Sequence, residues 1–486
     1  MDDTLLMTSC VRLSSFPAPT QTPTMTNGWV QTNLGEWRRP LGGLEKTYRF
    51  TSTRFEETGR EHWGLYTSCR VEFGPHVDSV PNTLRTAWMN LRLEFPGLAV
   101  TLDGYEAVYQ SIARSPTQGL EAWADQTFVI QSDEDKTVDQ ILAEYNLNNL
   151  PGLVYFPKTS EVLFLTSHWR VDALGCCLLV DRLFALVAAD QGLDTDLAGQ
   201  EISLLSPSLE DAVGAPDTPT EKIQSDTMRM LSSFRQKALA SLGIGYRGDR
   251  LTPPGHAAYQ SMVLTPEASD RLVLACKARQ LSVSAAVFVA LSRAVFNLND
   301  SGADEYSTIM AVNMRPYLRE PYGNPSHACQ AYVSSITPTV RRSEAFDASA
   351  RALTSYFKTW HNQDFDQCLR EAYRMQSNAL LHAPPQPSTA PPSGVTFSSL
   401  GVIERNMNGR YGGDKVVVKD FRFGVSMLTR QMLLYVWSFG GRLSLSINYN
   451  KAYYGREKPK AVLGHVRTTL EAEMGVHLDV ETVAPS

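Results

Sequence analysis

The sequence predicts an α/β protein built as two halves around a helical crossover, and three observations carry that prediction. The chain has 486 residues, more than one ordinary hydrophobic core accommodates, so two domains are expected. Strand-like and helix-like apolar patterns alternate on both sides of a polar mid-chain stretch, residues 203–258. An apolar content of 43% with 20% charged residues is that of a folded globular chain.

Taken in order, residues 1–35 are rich in Ser, Thr and Pro and are expected to be a flexible arm. They have no basic n-region, so they do not read as a signal peptide. Residues 36–202 form the first half, with order starting near Trp37. Leu84, Ala87, Trp88, Leu91 and Phe95 recur at helical spacing and predict a helix stopped by Pro96-Gly97. Strands are expected at 128–130, 152–156 and 162–166, and a helix at 174–190. Residues 203–219 read as a linker and 220–242 as an amphipathic helix. A loop holding Pro253-Pro254-Gly255 completes the crossover. The second half, 259–486, opens with a strand at 260–264. Thr265-Pro266 then supplies an N-cap and a proline at the first helical position. Helices are expected at 266–280, 284–296, 353–381 and 459–474, and strands at 307–312, 395–397, 432–438 and 442–448. Residues 383–394 contain five prolines and predict an exposed loop.

Composition excludes several functions. The net charge is −6 with no dense Lys/Arg cluster, which argues against nucleic acid or an anionic membrane as a partner. The most apolar helical patterns carry Asp181, Arg182 and Arg293 and would not span a bilayer. Seven scattered cysteines without a Cys-x-x-Cys predict neither a disulfide framework nor a metal site. They fit a reducing, cytoplasmic setting. Gly243-Ile-Gly-Tyr-Arg-Gly248 has the dinucleotide spacing but follows a helix and precedes prolines, the wrong order for holding phosphate at a helix N-terminus. Gly-x-Ser-x-Gly, Walker and His-Glu-x-x-His motifs are absent from the sequence.

The informative segment is Val162-Leu-Phe-Leu-Thr-Ser-His168-Trp-Arg-Val-Asp172, followed by the helical pattern from Leu174. Of nine histidines only His168 is followed by aspartate at the fourth position. A histidine delivered by a buried strand to a loop is suited to general-base work, because its unperturbed pKa is about 6.5. The alternative reading is a histidine packed at a strand end. Cys176 and Cys177 fall on the following helix, where packing is expected of them.

His168-x-x-x-Asp172 before a helix is also the motif of the CoA-dependent acyltransferase superfamily. Asn313-Met-Arg315-Pro with Pro321-Tyr-Gly-Asn324 resembles an element of the plant BAHD acyltransferases and of peptide-synthetase condensation domains. Phe397-Ser-Ser-Leu-Gly401 resembles their tunnel-lining strand, and Leu443–Tyr449 their closing strand. Arg39-Pro-Leu-Gly-Gly-Leu-Glu-Lys-Thr-Tyr48 and Glu61-His-Trp63 look closest to the fungal trichothecene 15-O-acetyltransferase group.

The resemblance implies two mixed-sheet domains like that of chloramphenicol acetyltransferase, with an active-site tunnel between them. His168 would be the base. Asp172 would be a structural group paired with Arg315, and Ser398 or Ser399 an oxyanion donor or acyl-donor contact. The resemblance further implies acetyl-CoA or another acyl-CoA as co-substrate and no permanently bound cofactor. Acceptors of the kind it implies are bulky alcohols such as trichothecene-type sesquiterpenoids, acted on by a monomer. A carrier-protein-dependent condensation enzyme and a non-catalytic binding protein of the same fold are the alternatives. Two departures stand out: Ala173 replaces the glycine usual after the motif aspartate, and Asp420-Phe-Arg-Phe-Gly424 stands where the family has Asp-Phe-Gly-Trp-Gly. There Asp420 and Gly424 would support the CoA entrance, while Arg422 reads either as a phosphate-facing group or as a solvated charge.

Overall fold

The computed structural model describes residues 25–481 except 27, 76, 78, 134, 145–148, 240–241, 300 and 383–390. Two six-stranded sheets dominate. The first runs in the order Arg410–Tyr411, Val416–Val425, Leu65–Phe73, Glu161–Thr166, Gly152–Phe156, Phe128–Ile130. The second runs Ala257–Val263, Arg442–Asn450, Met432–Phe439, Val395–Val402, Met310–Asn313, Val333–Ile336. A third, five-stranded sheet holds Met25–Thr26, Trp29–Asn33, Glu36–Pro40, Glu106–Gln110 and Thr101–Asp103.

Glu161–Thr166 is central in its sheet, which is why it reads as an unbroken apolar run and not as an alternation. Val162 and Phe164 pack with Trp88 and Phe184 of the helices Val80–Glu94 and Ala173–Ala189. Leu163 and Leu165 face the other way, onto Tyr66, Val154 and Phe156. In the second half the helix Val283–Leu298 is apolar on nearly every side and is buried accordingly. Its sheet places Phe397, Leu434, Val436 and Ile447 against that helix. The opposite face places Leu433, Tyr435 and Trp437 in the first half's core.

Several expectations need correction. The strand Val416–Val425 lies within the range assigned to the second half but pairs antiparallel with Leu65–Phe73 of the first. Its Phe423 meets Tyr435 edge-on at 5.1 Å, so the two halves share one core. Met25–Thr26 and Trp29–Asn33 of the expected arm form strands, because Trp29 inserts fully into a small core with Leu41, Tyr109 and Trp169. Residues 1–24 of that arm lie outside the described residues. The expected linker 203–219 is ordered, and Leu205 to Glu210 are buried. Glu210 accepts from the backbone N–H of Leu44 at 2.9 Å, capping the helix Gly43–Thr53.

The expected helix 353–381 is two helices, Phe346–Thr359 and Gln363–His382, and the expected strand 307–312 is two short strands. Of the proline-rich segment, residues 383–390 lie outside the described residues. Cys10 lies outside them too, and the six described cysteines are buried and free. Among the described residues no single helix is long and apolar enough to cross a membrane.

Candidate active site

The site is built around the N-terminus of the helix Ala173–Ala189. Asp172 is its N-cap: Oδ1 accepts from the backbone N–H of Gly175 at 2.8 Å. Oδ2 accepts from the backbone N–H of Tyr332 at 2.7 Å. Nη1 of Arg315 donates to both carboxylate oxygens, at 2.9 and 2.7 Å, and both side chains are buried. The Asp172–Arg315 pair expected from the sequence is therefore present, and it ties the two halves together. Nη2 of Arg315 donates to the carbonyl of Gln330 at 3.2 Å, and the Gln330 side chain donates to Glu45 at 2.8 Å. Glu45 in turn holds Arg39 in a buried two-pronged pair, both contacts at 2.8 Å. A buried charge is tolerated only when it is paired and hydrogen-bonded, and this network pairs each of the four charges, leaving Nε of Arg39 and of Arg315 without a partner. Gly175 is required at its position, since a Cβ there would lie 2.4 Å from the carbonyl of Ala328.

The residues between His168 and Asp172 anchor the loop. Trp169 and Val171 are buried. Arg170 donates to the carbonyls of Gly97, Val100 and Asn149 at 2.6–2.7 Å. His168 is thus held by its neighbours rather than by Asp172. Its ring lies flat against Tyr48, centroids 4.0 Å apart, with Trp63 at 6.4 Å. The side chain is part-buried, and its Nδ1 is shut off without a hydrogen-bond partner. Desolvation pushes its pKa down, against the pull of nearby backbone and of Asp172, so the imidazole is neutral at pH 7 and able to accept a proton.

Tyr48 arrives on the helix Gly43–Thr53, which Gly43 lets pack against Tyr373 with room for no Cβ; the nearest backbone atom would be 2.7 Å away. Trp63 sits at φ 63°, a left-handed conformation that a bulky residue rarely adopts. Glu61, two residues earlier, accepts from the Ser167 hydroxyl at 3.0 Å.

A cavity of about 510 Å³ opens between the halves. Glu61, Tyr66 and Leu165 line it from the first half, and the edge strand Ala257–Val263 with Asn448 from the second. Its lining reaches Glu61 and Leu165 beside the motif loop but does not include His168. Asn448 accepts through Oδ1 from the Tyr66 hydroxyl at 3.2 Å and from the backbone N–H of Val425 at 3.1 Å. Its Nδ2 is therefore a donor, and it is buried without a partner.

The remaining sequence candidates divide. Ser398 pairs in register with Tyr435, on the sheet face that looks toward the first half. Ser399 points the other way and hydrogen-bonds Ser284 at 2.8 Å, so it is removed from that face. Asp420 is exposed, beside a strand irregularity, with Arg442 3.9 Å away. Gly424 lies at the interface of the halves, where a Cβ would come within 2.3 Å of Asn448 and Tyr66. Arg422 is part-buried and paired instead of being a freely solvated charge: it donates to Asp139 at 2.8 Å and to the Tyr259 hydroxyl.

Over 455 residues the chain is 40% identical to an O-acetyltransferase, pigM, of Monascus ruber, covering 93% of this chain and 88% of that one. The chain belongs to the fungal O-acetyltransferases of the CoA-dependent acyltransferase superfamily. A second relative, azaphilone biosynthesis cluster protein M of Aspergillus terreus, is 37% identical, covering 90% of this chain and 96% of that one. The trichothecene 15-O-acetyltransferase TRI3 of Fusarium sporotrichioides shares the fold at a TM-score of 0.76 with 18% identity, covering 93% of this chain and all of that one. No family model matches the chain.

Within this acyltransferase, sequence reasoning missed Tyr48, Glu61 and Asn448. Tyr48 and Glu61 fall in the two segments that carry the trichothecene-group resemblance, but no spacing rule brings either to His168. Asn448 ends the expected strand 442–448 and looks like any strand polar residue until its partners are known.

Proposed function

We propose that the enzyme transfers an acetyl group from acetyl-CoA to a hydroxyl of a bulky, oxygen-rich secondary metabolite, with His168 as general base. The observation that carries this reading is a histidine on a loop clamped by Arg170, its ring stacked on Tyr48, with its neighbour Ser167 bonded to the cavity-lining Glu61. Because Nδ1 is enclosed, Nε2 is the nitrogen that meets substrate. It takes the proton of the acceptor hydroxyl as the oxygen attacks the thioester carbon. The tetrahedral intermediate then collapses, the C–S bond breaks, and the imidazolium returns the proton to the departing thiolate. Ser398 Oγ and Asn448 Nδ2 are the donors we assign to the oxyanion. Asp172 and Arg315 hold the loop and do not take part in proton transfer.

The name of the relative at 37% identity puts azaphilone-type alcohols first among acceptors, with trichothecene-type sesquiterpenoids alongside. The test incubates the protein with acetyl-CoA and a panel of both alcohol classes, reading thiol release and the acetyl ester by mass. An ester formed at the rate of thiol release is expected. Acetylation only from a carrier-protein thioester would replace this reading with the condensation-type alternative, and no transfer from either donor would end it.

A further inference from the structure

Glu61 is a polar group of the cavity that the proposed chemistry leaves without a task. One carboxylate oxygen accepts from Ser167, the residue before His168, at 3.0 Å. The other, Oε1, is buried with no partner, although the side chain lines the cavity between the halves. Trp63, two residues on, is held at a φ of 63° by a chain whose backbone N–H donates to Ser426 at 2.8 Å. Strained backbone of this kind persists where the surroundings over-determine it, and here it fixes the direction of the segment that carries Glu61.

We propose that Glu61 is a specificity-determining residue that hydrogen-bonds an oxygen function of the acceptor alcohol and so presents the reacting hydroxyl to His168. This rests on the acetyl-transfer reading above. Depth in the site decides for the acceptor over the donor. Close to the reacting atoms the acetyl donor offers a methyl group, a sulfur and the one carbonyl oxygen that becomes the oxyanion. The acceptor alone brings further oxygens to that depth.

Burial raises the Glu61 carboxyl to about 7, against the Ser167 hydrogen bond and the charges of Arg49 and Arg170. Across the cavity stand Asp139, Lys451, Arg456, Glu481 and the phenols of Tyr66, Tyr259 and Tyr449, with His168 beyond Ser167. Below pH 7 the carboxyl is neutral and can donate to a substrate carbonyl or ether oxygen. Above it the charged form can only accept, and acceptor binding weakens.

The experiment takes the alcohol turned over fastest in the panel and measures its KM and that of acetyl-CoA from pH 5.5 to 8.5, a span of about 1.5 units either side of the group's pKa. Three proteins are compared: wild type, Glu61→Gln and Glu61→Leu. Glutamine keeps a donor and does not titrate, so its acceptor KM should be flat where that of wild type rises above pH 7. Leucine should raise the acceptor KM roughly tenfold at pH 6 and leave the acetyl-CoA KM unchanged, the size of one lost hydrogen bond. If Glu61→Leu does not fold, the glutamine profile decides alone. A parallel rise in wild type and Glu61→Gln overturns the assignment, as does an effect on acetyl-CoA KM instead. A fall in kcat at constant acceptor KM also overturns it, since Glu61 would then act only through Ser167 on the loop. Failure of every alcohol to accept acetyl would fall on the acetyl-transfer reading instead.

Discussion

At the residue scale, two neighbours in one motif should fail differently. His168→Ala should lower kcat by about 10²–10⁴ with little change in acetyl-CoA affinity. Its cost in stability is limited to the lost stacking on Tyr48, roughly 0.5–1.5 kcal/mol. Asp172→Asn keeps an oxygen to cap the helix but leaves Arg315 buried without its counter-charge. A loss of roughly 3–5 kcal/mol in urea unfolding is expected, with activity falling as well. Equal stability losses in the two variants would contradict the division of labour. His62 gives a pH signature of its own. Its ring is buried, its Nδ1 accepts from the backbone N–H of Leu428 at 3.1 Å, and burial, helped by the charge of Arg54, holds its pKa down to about 3. The unfolded chain binds that proton below about 6.5 and the native chain does not until about 3. The stability contributed is complete above about pH 6.5 and is lost as pH falls toward 3. Urea midpoints between pH 7 and 4 should therefore fall less steeply for His62→Gln than for wild type.

At the element scale, the strand Val416–Val425 carries the site from one half into the other. Gly424 is the point of closest approach, where Tyr66 and Asn448 meet across the interface. Gly424→Ala should cost about 1–3 kcal/mol through overpacking. It should also displace Asn448, so a crystal structure or a drop in kcat would reveal the shift even if the fold survives. Most of the elements that sequence reading named lie near their observed bounds, because periodicity and caps are local. Thr265, for instance, accepts from the backbone N–H of Ala268 at 3.2 Å as its N-cap position predicts. It overlooked Leu65–Phe73, whose Thr67, Ser68 and Arg70 break the apolar pattern although the strand is mostly buried. It overlooked Val416–Val425 as well, whose charged centre, Lys419-Asp420, lies exposed at the strand irregularity.

At the scale of the whole molecule, the shared core predicts one cooperative unfolding transition. Without Val416–Val425 the first sheet would expose Leu65–Phe73 as a bare edge, and without the first half the second sheet would expose Leu433, Tyr435 and Trp437. Far-ultraviolet and near-ultraviolet circular dichroism should melt together. Two separated transitions would mean that the halves are independent and that the shared core contributes little.

The sequence by itself determined the motif, and the family resemblance supplied its partner. His168 follows an apolar strand and Asp172 precedes an apolar helix, which local patterning makes visible, and a buried aspartate needs a cation. That Arg315 is this cation was implied by the resemblance of Asn313-Met-Arg315-Pro and is met by the structure. Only the tertiary structure decided which groups stand beside the motif loop and the cavity. Tyr48 is 120 positions from His168 and Glu61 is 107, while Asn448 lies far beyond. Whether Ser398 or Ser399 faces the first half depended on strand register, since one step along a strand reverses the side chain's direction. Contacts at such separation are set by how two sheets share one strand, and no periodicity in the chain encodes that.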